Sequence, residues 1–212
     1  MSEIEILYKG RGYAILNKPV GADSEDKGEG SLPVLARAAL GVEYAEPVHR
    51  LDRAVSGAIL TATDKKTAAR LSRDVAENKI VKEYLCVCEG TLSDREGEME
   101  DLLYYDRQKQ KSYVVKKERN GVKRASLSYQ VLGTARTDDS REVSLVHIIL
   151  HTGRTHQIRV QLASRGHSLL GDGKYGSRDK GCSIALLCHA ITVDENRVEC
   201  APMDAYPWNL FR

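Results

Sequence analysis

From Glu142 to Thr152 the chain reads EVSLVHIILHT, with apolar residues at positions of both parities. A strand with one face in water alternates with period two, so a strand apolar on both faces must be covered on both. This segment is expected to be a central strand, with further strands along its edges. Glu5 to Lys18 alternates as two short strands around Gly10-Arg11-Gly12. Lys82 to Glu89 reads as a strand whose period puts Tyr84, Cys86 and Cys88 on one face and Leu85 and Val87 on the other. Asn120-Gly121, a strong short hairpin signal, is expected to turn a hairpin inside Tyr104 to Arg124.

Helical signals are fewer. Ser31 can cap a helix through Ala39 that Gly41 ends, and Asp64 can start another with Ala68, Leu71 and Val75 as its apolar stripe. Thr155 can cap a third from His156 to Arg165, closed by Gly166, and Asp23 to Gly30 is loop. Strands outnumber helices in mixed order, so the fold class is α+β.

At 212 residues the chain can bury one good core, and a single domain over 1–212 is expected. No apolar run approaches the roughly 20 residues that span a bilayer, and the opening MSEIEILYKG has acids where a secretory signal has a basic stretch. The five cysteines show no paired or zinc-ligand spacing. Reduced, mostly buried thiols in a cytoplasmic protein are expected, with no metal.

Net charge is only +2, but its distribution is uneven. Tyr104 to Arg124 holds eight Lys/Arg against two acids, whereas Glu89 to Asp101 holds six acids against one Arg. A basic stretch interleaved with tyrosines suits phosphates and bases.

The chemistry concentrates in His49 to Leu60, HRLDRAVSGAIL, which sets Asp52 between Arg50 and Arg53 ahead of a Ser56-Gly57 turn. Nearby positive charge favours a carboxylate anion, ready to act as nucleophile or general base. These twelve residues resemble the catalytic signature of the pseudouridine synthases, in particular the RluA type. Thr152 to Gly176, TGRTHQIRVQLASRGHSLLGDGKYG, resembles that type's other long block. Small-subunit-type synthases carry an Asn-Arg-Gln core there instead. KEYLCVCEG at Lys82 to Gly90, the opening ILYKGRGYAILNKPVG, and ALLCHA followed by APMDAYPW resemble three further blocks in the same order.

The resemblance implies a mixed, mostly antiparallel central sheet with flanking helices and loops, and isomerisation of uridine to pseudouridine in structured RNA, ribosomal or transfer. It assigns catalysis to Asp52. Arg159 is the implied partner of that carboxylate, Tyr84 stacks on the target base, and Arg50 helps fill the gap left by the flipped base. Lys18 meets a phosphate or braces the site. His49 and His156 read as hydrogen-bonding scaffold. Gly153 and Arg154, ahead of the helix, read as a phosphate seat. The reaction uses no cofactor, and the expected partner is RNA alone, bound by a monomer without a nucleotide cofactor or membrane. No S4-like module is read ahead of the catalytic region.

Gly171 to Gly176 fits G-x-G-x-x-G literally, but loop follows it where a dinucleotide fold needs a helix. Val55, Gln161 and Cys188 stand where the family usually has Thr, His and Leu. The rival readings are a non-catalytic RNA-binding protein that keeps the synthase fold, and an enzyme of free nucleosides. Tritium release from bulk RNA separates the first; the second leaves the basic stretch without a use.

Overall fold

The computed structural model describes residues 4–212; Met1 to Glu3, the start of the segment read above as lacking a signal, lie outside the described residues. The chain divides into two compact units, one comprising residues up to Glu83 with Leu187–Pro202, the other Tyr84–Leu186 with Met203–Arg212. Among the described residues no helix is long and apolar enough to cross a membrane.

In the first unit β1 (Glu5–Gly10) pairs antiparallel with β2 (Tyr13–Lys18), and β2 with β4 (Ser56–Ala62). A short β3 (Glu46–Pro47) also pairs with β4. On its other side β4 runs parallel to β10 (Leu186–Val193) through Leu187↔Ser56 and Cys188↔Gly57, which makes the sheet mixed. β11 (Asn196–Glu199) returns antiparallel on β10. Ile15, Leu16, Ile59 and Leu60 on these strands are completely buried, as are Leu32 and Leu71 on the helices α1 (Leu32–Leu40) and α2 (Lys65–Ala76). Asp64 caps α2 as its sequence predicts, accepting a hydrogen bond from Thr67 N.

The second unit is organised around β9 (Glu142–Leu150), which lies between β5 (Val81–Glu89) and β8 (Val122–Arg136). Its buried Val143, Val146 and Ile148 bear out the two-sided apolar pattern. Beyond β8 come β6 (Glu96–Asp106) and β7 (Lys111–Val115). The short α3 (Gln157–Ala163) packs Val160 against Leu103 of β6 and Ala125 of β8.

Several local expectations are corrected by longer-range contacts. Ser31 sits at the N-cap of α1, but its hydroxyl donates to Gly28 O at 2.7 Å instead of capping the helix. The cap of α3 is His156 in the left-handed region at φ 55°, not Thr155, and the helix ends at Ala163. The Gln157 side chain explains the shift: its Oε1 accepts from Thr152 Oγ1 at 2.8 Å and Arg154 N at 3.0 Å. The same bond occupies the Arg154 N–H, and one N–H of the expected phosphate seat is therefore taken.

Asn120-Gly121 does form a turn, closed by Val122 N donating to Arg119 O, but not a hairpin. β7 and β8 lie on opposite sides of β6. The hairpin is β6–β7, whose turn Asp106 closes by accepting from Gln108 N and Lys109 N. The connection from β7 to β8 passes over β6, with the Arg119 guanidinium 4.7 Å from the centre of the Tyr104 ring.

Candidate active site

Of the residues singled out by sequence, Lys18, Arg50 and Asp52 belong to the first unit, and Tyr84 and Arg159 to the second. Asp52 opens a tight turn, its carbonyl accepting from Val55 N at 2.9 Å. The turn is clamped on both flanks. Ser24 grips Leu51 twice, its hydroxyl donating to Leu51 O at 2.8 Å and accepting from Leu51 N at 3.1 Å. Gly21 grips Arg53 twice, its N donating to Arg53 O at 2.8 Å and its O accepting from Arg53 Nε at 2.9 Å. Leu51 and Val55 are buried on either side, anchoring the turn in the core.

Lys18, at the end of β2, is completely buried. Its ammonium donates to Pro19 O at 3.0 Å and Arg53 O at 3.4 Å. Burial pushes its pKa down to about 8, against the pull of Asp23 and Asp52. The motif's own arginines have partners outside the turn. Arg50 is exposed and pairs with Glu25 at 2.7 Å, a surface bridge worth about 0–1 kcal/mol and easily exchanged. Arg53 donates its Nε to the Gly21 carbonyl and lies 4.0 Å from Asp23, its side chain otherwise exposed.

Gly57 explains the Ser-Gly end of the motif. Its φ of +113° and its approach to β10, where an added Cβ would lie 2.3 Å from Cys188 O, leave room for no side chain. His49 bridges back to β4, its Nε2 accepting from Leu60 N at 3.1 Å. The proton therefore sits on Nδ1, which is buried with no hydrogen-bond partner among the described residues. Burial, with Lys82 nearby, lowers the ring's pKa to about 3, so His49 is neutral at physiological pH.

In the second unit Arg159 is buried on α3 and held by a fork: Nε donates to Asp172 Oδ2 at 2.7 Å and Nη2 to Oδ1 at 2.9 Å. The Tyr175 ring lies 5.1 Å from the same guanidinium. Tyr175 OH accepts from Ser112 N at 2.8 Å and meets His156 Nδ1 at 2.9 Å. Since Ser112 already donates to that oxygen, the phenol can give its own proton to the imidazole. Burial pushes the phenol's pKa up to about 12, keeping it protonated. This bond helps hold His156 in its left-handed conformation, a strain of about 1–3 kcal/mol. Tyr84, the first residue of the second unit, is buried on β5.

Asp172, Tyr175 and Ser24 escape a sequence reading. The first two lie in the glycine run, which is now accounted for. Gly171 passes so close to Ser183 O that an added Cβ would lie 2.4 Å away, and a single 3-10 turn, Gly173–Tyr175, follows. Gln161 donates to Met99 O and Asp101 Oδ2, its own Oε1 buried and unpartnered among the described residues. All five cysteines are free thiols, four of them buried.

The family model described as RNA pseudouridylate synthase matches residues 12–164. An uncharacterized RNA pseudouridine synthase of Bacillus subtilis, YhcT, is 32% identical over 226 residues, covering 99% of this chain and 72% of that protein. The dual-specificity RNA pseudouridine synthase RluA of Yersinia pestis is 35% identical over 189 residues, covering 87% and 88%. The ribosomal large subunit pseudouridine synthase C of Buchnera aphidicola is 31% identical over 221 residues, covering 95% and 68%. Among solved structures, human RNA pseudouridylate synthase domain containing 1 matches with a TM-score of 0.79 over 95% of this chain and 84% of that one, at 23% identity, a likeness of fold.

Proposed function

Because this chain belongs to the RNA pseudouridylate synthase family, in its RluA-type branch, we propose that Asp52 is the carboxylate that starts its reaction, attacking the nucleoside or removing a sugar proton. The chain is an RNA pseudouridine synthase, an isomerase acting on uridine in RNA. The bond from ribose to the uracil nitrogen breaks, the base turns, and the sugar is rejoined to carbon, whose proton is released as the nitrogen gains one. Atoms and electrons balance within the nucleotide, so the reaction draws on no outside energy source.

The observation that carries the assignment of Asp52 is its clamped turn. Two bonds between Ser24 and Leu51, one from Gly21 N to Arg53 O and the buried Lys18 brace fix the backbone on both sides of one carboxylate. Orientation fixed before substrate arrives lowers the entropic part of a barrier. We assign Tyr84 to stacking on the target base and Arg159 to electrostatic support of the carboxylate, the Asp172 fork and the Tyr175 ring setting its guanidinium plane. Arg50, exposed and weakly paired, is suited to leave Glu25 and enter the gap left by a flipped base. The two units form one catalytic domain in this reading, acting as a cytoplasmic monomer without a nucleotide cofactor. The substrate is ribosomal or transfer RNA; the ribosomal large subunit pseudouridine synthase among the relatives supports the first by its name.

Asp52→Asn keeps shape and removes charge. Turnover is expected to fall by roughly 10²–10⁴ or more, with folding and RNA affinity retained. Pseudouridine mapping of RNA from cells carrying the wild-type or variant gene reads the outcome and identifies the target uridine. Turnover within about tenfold of wild type removes Asp52 from the chemistry.

A further inference from the structure

Where β7 and β8 flank β6, the second unit contains a cavity that the reaction's residues leave unused. β6 pairs with β7 out to Asp106↔Lys111, but with β8 only as far as Tyr104↔Val122. Past Tyr104 the sheet is notched on the β8 side. A cavity of about 790 Å³ lies there, walled by the end of β6 and its turn, by Asn120-Gly121 and by Gly153 to Thr155. Ligand sites typically span about 300–1,000 Å³.

The lining is cationic and aromatic. Exposed Arg107 and Lys123 and half-buried Arg154 contribute guanidinium and ammonium groups, and Tyr104 and Tyr105 contribute rings. The one carboxylate in the wall, Asp106, is already engaged by two backbone N–H groups of its turn. Arg154 is anchored by its Nε on Arg124 O at 2.9 Å. Cations that track phosphates beside rings that stack on bases are the chemistry of single-stranded nucleic acid sites. Lys116 and Lys117, equally basic in sequence, do not line the cavity.

We infer that this cavity is a second RNA subsite, seating an unpaired nucleotide of the substrate away from the reacting uridine, with its phosphate on Arg107, Lys123 and Arg154 and its base beside the tyrosines. This deepens the reading of RNA as substrate and rests on it.

The test measures binding of a short fluorescein-labelled oligouridylate across a salt series. Arg107→Ala with Lys123→Ala should weaken binding by about tenfold or more and make the log–log salt slope shallower by up to roughly 0.7, the value for one phosphate contact on a single strand. Lys116→Ala with Lys117→Ala, which removes the same charge outside the cavity, should stay within about twofold. Tyr105→Leu should weaken binding at least about fivefold at unchanged slope, since stacking releases no counterions. Wild-type affinity and slope in the Arg107/Lys123 variant overturn the subsite. So does an equal loss in the Lys116/Lys117 variant, because charge rather than this cavity would then be what RNA meets. Tritium release from bulk RNA by the wild-type enzyme runs alongside: its failure strikes the functional reading, whereas the variants' affinities judge the subsite.

Discussion

Around Asp52 in the first unit the immobilising contacts run to backbone groups, whereas around Arg159 in the second they run between charged and aromatic side chains. Ser24, Gly21 and Lys18 fasten the peptide units of Leu51 and Arg53. Arg159 is instead fixed through its own guanidinium, forked on Asp172 and covered by Tyr175. The two designs fail differently. A backbone clamp loses one modest hydrogen bond at a time, while loss of the Asp172 carboxylate takes two charge-assisted bonds from a buried guanidinium at once.

The largest effect is expected from Asp172→Ala. It removes both charge-assisted bonds of the fork on the buried Arg159 guanidinium, each worth about 1.5–3 kcal/mol, and stability in urea should fall by roughly 3–5 kcal/mol. A loss below about 1 kcal/mol would show that the pair is not the main anchor of α3.

The next effect lies in pH. The Lys18 pKa is lowered from 10.5 to about 8, so between those values the unfolded chain holds a proton that the folded one has shed. Stability therefore rises with pH across that window, and the penalty is fully present below pH 8, on the order of 3 kcal/mol. Lys18→Met should flatten this rise. Lys82, also lowered by burial, contributes with the same sign in both proteins and cancels in the difference. Urea midpoints of the two proteins at pH 7 and pH 10 measure it, and parallel pH dependences would contradict the buried brace.

The smallest effect sharpens the contrast most. Ser24→Ala removes both bonds to Leu51 and should cost about 1–2 kcal/mol of stability. Its signature is kinetic, with kcat falling more than KM rises, because the loss is of orientation at Asp52 rather than of RNA contact. A KM effect alone would place Ser24 among groups that bind rather than position.

Features that depend on near neighbours could be read from the order of residues. The two-sided apolar run of β9, the paired strands about Gly10 to Gly12, the Asp64 cap and the Asp52 motif were all legible, since a strand period, a cap and a turn involve residues a few positions apart. The tertiary structure alone decided which groups meet across long separations. Asp172 lies thirteen residues from Arg159 and Ser24 twenty-seven from Leu51. Asn120-Gly121 carries the local chemistry of a hairpin, yet β6 takes the place between its strands because β6 can pair along both edges. Likewise Thr155 yields its cap to His156, where the Tyr175 hydroxyl and the Gln157 side chain outweigh a local preference worth about 1 kcal/mol. Local propensities are small energies, and a partner brought in by the fold can exceed them.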